Sequence, residues 1–201
     1  MMFTTLAALS AALALPTLQR GDARDFIRSR EMATEADDVR AGISLFVAPD
    51  GDVLSCTPIR VVGSVETAKS ACKFFERRRV SPARDSNGQA IHGVLTTTVA
   101  LMTEPGSGQS ASTNSLSLGE LPDIQLPFGT AEEERIVTTI VLVEPHGKVS
   151  ECEVPSPHKQ EDEDVNHAIC DYLATVPLHV LLGKDRQPVR YVRRVQVQLT
   201  G

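Results

Sequence analysis

The sequence predicts an α+β protein built from two tandem strand–strand–helix–strand modules. Three observations carry that prediction. Pro49, Gly51, Val53 and Cys56 recur as Pro145, Gly147, Val149 and Cys152 at a constant offset of 96, and Cys72 recurs as Cys170 at an offset of 98. Runs rich in β-branched and apolar residues flank a Pro-x-Gly turn in each copy. After each hairpin, apolar residues fall at i, i+3, i+4 and i+7, the spacing of one helical face. Self-similarity at a fixed period marks a repeated structural unit.

The elements follow in chain order. Residues 1–19 carry no charged side chain, and the run from Phe3 to Leu15 is apolar apart from Thr4, Thr5 and Ser10. That run is too short for a membrane helix and suits the core of a signal peptide, with Ala12-Leu13-Ala14 as the small-x-small cleavage pattern. Residues 1–19 therefore read as a signal peptide cut near Ala14; if retained, they would be a marginal anchor. Residues 20–40 form a charged polar arm with no assigned function. Module one covers 41–102. Its strands at 43–47 and 53–61 are joined by Pro49-Asp50-Gly51, where Pro presets φ and Gly accepts the positive φ that closes a hairpin. A helix from Val65 to Arg78 presents Ala68, Ala71, Cys72 and Phe75 on one face, and a last strand after Pro82 holds Thr97, Val99 and Leu101.

Residues 103–134 read as a flexible linker, rich in Gly and Ser from Gly106 to Ser115, so the modules move as separate bodies unless an interface holds them. Module two covers 135–201. It repeats the turn as Pro145-His146-Gly147 and the helical face as Val165, Ala168, Ile169 and Tyr172. A two-residue insertion falls in the acidic loop holding Glu161 to Asp164. In its last strand, Val195, Val197 and Leu199 alternate with polar residues, as a half-buried strand requires.

Composition narrows the function classes. The net charge is −6 and the aromatics are six Phe, two Tyr and no Trp, so neither a basic face nor a stacking platform for nucleic acid is indicated. The four Cys divide evenly between the copies. Cys56 and Cys152 end strands, while Cys72 and Cys170 sit on the following helices, so one disulfide per module would staple helix to sheet. That pairing needs an oxidising compartment, which the export signal supplies. Reduced, buried Cys is the alternative. No C-x2-C or H-x3-5-H zinc pattern occurs, and His167 is the one His placed near a Cys. The Arg77-Arg78-Arg79 cluster suits the negative end of a helix dipole.

The stretch Val47-Ala48-Pro49-Asp50-Gly51-Asp52-Val53-Leu54-Ser55-Cys56 resembles the hairpin of bacterial TonB C-terminal-like modules. The stretch from Arg77 to Gly88 resembles the segment that leaves the helix in the same family. The likeness covers 41–102, and reaches 135–199 through the internal repeat as a divergent second copy. It implies a non-catalytic, periplasmic binding or scaffolding protein that engages an envelope or outer-membrane protein by adding a strand to a sheet. The edge expected to do this is Thr97, Val99 and Leu101, or Val195, Val197 and Leu199, with self-association through the same strands as a second outcome. No cofactor, metal site or catalytic residue is indicated, because no G-x-S-x-G, H-E-x-x-H or P-loop occurs. Two alternatives stand beside this reading: an inner-membrane-anchored energy transducer resembling TonB, and a periplasmic hydrolase.

Overall fold

The computed structural model describes residues 12–18, 39–104, 108–112, 123–127, 135–155 and 163–200. Each half of the chain contributes a hairpin, a helix and a long strand. The first half gives β1 (Val39–Val47), β2 (Val53–Val62), α1 (Val65–Phe75), the short β3 (Ala83–Arg84) and β4 (Ala90–Glu104). Two strands lie between the halves, β5 (Gly108–Ser112) and β6 (Ile124–Pro127). The second half gives β7 (Arg135–Val143), β8 (Val149–Glu153), α2 (Glu163–Thr175) and β9 (Tyr191–Thr200).

The hairpin turns are built alike. Gly51 and Gly147 take φ of 86° and 88°. A Cβ on Gly51 would lie 2.5 Å from the Val80 carbonyl oxygen, and one on Gly147 would lie 2.7 Å from that of Leu178. Their own carbonyls accept the N–H groups of Val80 and Leu178, both at 2.8 Å. Glycine is therefore required twice over, by φ and by the chain passing beneath the turn. In α1, the Ser64 side chain caps the first turn by accepting the Thr67 N–H at 3.2 Å. Its inner face is Ala68, Ala71, Cys72, Phe74 and Phe75, close to the predicted face. In α2, Ile169 and Leu173 are fully buried.

Both halves join in one mixed sheet of order β2-β1-β4-β9-β7-β8. β4 and β9 meet in parallel at His92↔Tyr191 and Gly93↔Val192; within each half the strands are antiparallel. A parallel contact between equivalent strands implies an approximate two-fold axis along the strands, which turns the second half over. Neighbouring residues of a strand point to opposite faces. Leu45 and Leu95 accordingly pack with α1, while Phe46 and Val94 pack with α2. The two helices cover opposite faces of a shared sheet.

An interface therefore holds the halves together, and part of the stretch expected to be a flexible linker is paired into the sheet. Within 103–134, β5 pairs with β4 and β6 pairs in parallel with β9. The Asp123 backbone N–H donates to the Gln196 carbonyl at 2.9 Å, and its carboxylate accepts the Gln196 N–H at 2.9 Å. Other parts of that stretch, including Glu132 to Glu134, lie outside the described residues, as do 20–38 of the charged arm. The disulfides are Cys56–Cys72 and Cys152–Cys170, with Cα–Cα distances of 5.2 and 5.6 Å, so each clips a helix to the outer strand of its own half. They fit an oxidising, extracytoplasmic location. Among the described residues, no helix is long and apolar enough to cross a membrane.

Candidate functional site

The strands expected to offer an edge lie inside the strand order, and each candidate residue is paired on at least one side. Thr97, Val99 and Leu101 pair with Ile43, Ala41 and Val39 of β1, and Leu101 also pairs with Ala111 of β5. Val195, Val197 and Leu199 are buried and pair with Thr139, Val137 and Arg135 of β7; Val197 and Leu199 also face Ile124 and Leu126 of β6. The last strand of each half is where the halves meet, so being last in a module did not make it outermost. The outer strands of the main path are β2 and β8. In β2, Pro58 lacks an N–H, and the register skips Ile59 between Pro58↔Ile43 and Arg60↔Gly42. β8 is five residues long and carries Glu151 and Glu153. A proline, a bulge, charge and shortness all discourage strand addition.

Strand pairing of the expected kind occurs at β3 instead. Residues 12–18 lie extended and antiparallel along the run from Ser81 to Arg84. Ala14 N–H donates to Arg84 O at 3.0 Å, and Arg84 N–H donates to Ala14 O at 2.9 Å. Thr17 N–H donates to Ser81 O at 3.2 Å, and Ser81 N–H donates to Thr17 O at 3.1 Å. Side chains fill a groove on the α1 face. Leu13, 7% exposed, packs with Ala83, Ile91, Leu142 and Val192, so its pocket draws on both halves. The Glu153 carboxylate accepts the Leu13 N–H at 3.0 Å. Pro16 rests on Gly93, where a Cβ would come within 2.6 Å of the proline Cγ and 2.5 Å of the Ala83 Cβ. Leu18 reaches the core beneath α1.

These residues belong to the stretch read as a signal peptide. Residues 1–11 lie outside the described part, but residues 12–18 pack as an inserted strand. A cut at Ala14 would fall inside it. An apolar run with small residues and a proline gives one local signal for a leader and for a buried strand alike.

The second half shows how the same place looks without an inserted segment. Val47↔Gly93 and Val143↔Tyr191 are equivalent pairs, so Tyr191 stands where Gly93 stands. The Tyr191 hydroxyl donates to the His179 carbonyl. His179 is the counterpart of Ser81, whose carbonyl takes the Thr17 N–H. Burial pushes the Tyr191 phenol above its usual range. A ring closes the site in one half, and an extended peptide closes it in the other.

Symmetry is broken a second time beside the β4–β9 junction. Asp85 is 1% exposed in its side chain and pairs with Arg190 at 3.0 Å. Its other carboxylate oxygen accepts the N–H groups of Asn87 and Gln89 at 3.1 and 2.9 Å. The matching turn keeps its backbone bonds, but Gly183 replaces Asp85 and His92 replaces Arg190. A cleft of about 400 Å³ opens there, lined by Pro49, Asp50, His92, Lys184 and Val189. His92 stacks on Phe46 with ring centroids 5.5 Å apart, and desolvation lowers its pKa below the usual 6.5. Lys184 bridges Asp50 and Asp52 at 2.7 and 2.8 Å. Those bonds lower the Asp50 pKa and raise that of Lys184.

The remaining sequence candidates are structural in their surroundings. Cys56, Cys72, Cys152 and Cys170 are all disulfide-bonded, so exposed His167 has no thiol to activate. Pro49, Gly51, Pro145 and Gly147 hold the two turns. Among the described residues, no group of three or more His, Cys, Asp or Glu is placed to hold a metal ion. No family model, curated protein or solved structure matches this chain.

Proposed function

We propose that the protein is a non-catalytic binding module of an oxidising, extracytoplasmic compartment, whose β3 edge accepts an extended segment of an envelope protein. One observation carries this reading: a segment remote from β3 in sequence is held there by four main-chain hydrogen bonds and a side-chain pocket. Main-chain bonds supply affinity that any extended peptide can collect, and pockets for alternate side chains supply selectivity. The two halves are read as TonB C-terminal-like modules, the second divergent, for which strand addition is the expected mode. Here the acceptor moves from the last strand to the short β3.

The test is capture from envelope extracts by the oxidised full chain, repeated with a synthetic peptide of residues 11–19 as competitor. A partner released by that peptide supports the reading. Partners that stay bound at saturating peptide place binding elsewhere and refute the β3 assignment.

A further inference from the structure

We infer that residues 12–18 are a displaceable ligand held in cis, and that the β3 groove takes in trans an extended peptide with a leucine-like residue three positions before a proline. This rests on the reading of β3 as a strand acceptor and adds its ligand class and its control.

The pattern comes from the geometry. Main-chain bonds are made at Ala14, to Arg84 of β3, and at Thr17, to Ser81 just before it, so the other positions are free to be read by their side chains. Leu13 fills a closed apolar pocket, and a polar or charged group there would lose its water without gaining a partner. Pro16 has no N–H to leave unpaired, and its ring lies on Gly93 where no other residue leaves room. Leucine at the first position and proline three later are thus the two features the groove distinguishes.

The occupant is separable from the fold. The equivalent place in the second half is closed from within by Tyr191, so the architecture does not need an inserted strand there. Gly93 leaves that place open in the first half. Twenty residues, 19–38, separate the segment from β1 in the sequence. Because segment and groove belong to one chain, docking in cis is intramolecular and has an effective concentration that a free peptide lacks. A competing peptide in trans must overcome it, which makes the segment a built-in competitor.

The probe is a fluorescein-labelled peptide of residues 11–19, titrated by anisotropy into the oxidised full chain and into its Leu13→Asp variant. The variant chain should bind at least about tenfold more tightly than the unaltered chain, because its own segment no longer competes. The same peptide carrying L13D, or with its proline replaced by aspartate, should bind at least about tenfold more weakly. Equal binding of all three peptides, or no gain in the variant chain, overturns the inference. Hydrogen exchange on the unaltered chain keeps the question answerable if the variant does not fold. The Ala14 and Thr17 amides should exchange at least about a hundredfold faster than the ladder amides of β1 and β7. Equal rates would make the segment an ordinary core strand. Tight peptide binding with no partner captured from envelope extracts would leave this inference standing and remove only the wider function.

Discussion

Leu13→Ala separates a docked ligand from a strand of the core. Docking orders seven residues at about 1–2 kcal/mol each, roughly 7–14 kcal/mol in all. Against this stand four main-chain bonds at about 0.5–1.5 kcal/mol each, together roughly 2–6 kcal/mol. Burial of Leu13, with half-buried Leu15 and Leu18, adds roughly 4–6 kcal/mol. The two sides agree to within a few kcal/mol, so the segment is held with little to spare. Truncating Leu13 removes about 2–3 kcal/mol from the docked state, which shifts docking by about 30- to 150-fold. Exchange of the Ala14, Thr17, Ser81 and Arg84 amides should rise by that factor up to the unprotected limit. Amides in β1 and β7 should hold their rates, and the melting temperature should move little. If Leu13 belongs to the global core, the same loss would lower Tm by about 4–12 °C. All amides would then exchange faster together, and the displaceable-segment argument would fail.

Other outcomes follow from the same structure. Cys72→Ser and Cys170→Ser should each cost about 3 kcal/mol in denaturant unfolding, nearly additively, because the bonds clip different helices on opposite faces; a near-zero cost for either would refute its role as a staple. A thiol assay on unfolded, unreduced protein should find no free thiol, and four after reduction. Asp85→Ala should destabilise by about 2–3 kcal/mol, less than a fully buried pair because Arg190 is 39% exposed. Lys184→Met should leave stability unchanged in the same assay, since its ion pairs are open to solvent. The folded pKa of His92 is depressed, so the unfolded chain binds its proton first. Stability from this group should be complete above pH 6.5 and decline as pH falls below it. His92→Gln should flatten that decline in pH-dependent unfolding.

The repeat was legible because its devices are local. Pro49, Gly51 and Cys56, with their copies, are fixed by a turn and a staple that operate within one half, and the sequence carries them at a constant offset. The helices were legible from spacing for the same reason. The joining of the halves was not legible. It rests on the contact of Gly93 with Val192 and on the Asp85–Arg190 pair, whose members are 105 residues apart. No periodicity within a window reports such a pair, so β4 and β9 looked like free ends. The inserted strand was hidden differently, because Leu13, Leu15 and Pro16 satisfy a leader and a groove equally well. A sign was present all the same. Aligning β4 with β9 sets Gly93 against Tyr191, and a glycine facing a large ring in a repeat signals a volume that something else must fill.

The measurement closest to the central claim is an isotope-edited NMR titration of the labelled L13D chain with unlabelled peptide of residues 11–19. Intermolecular contacts are expected from the peptide to Ser81, Ala83, Arg84 and Gly93, with slowed exchange of the Ser81 and Arg84 amides. Contacts confined to β2, β8 or the His92 cleft, with no change at Ser81 and Arg84, would contradict it.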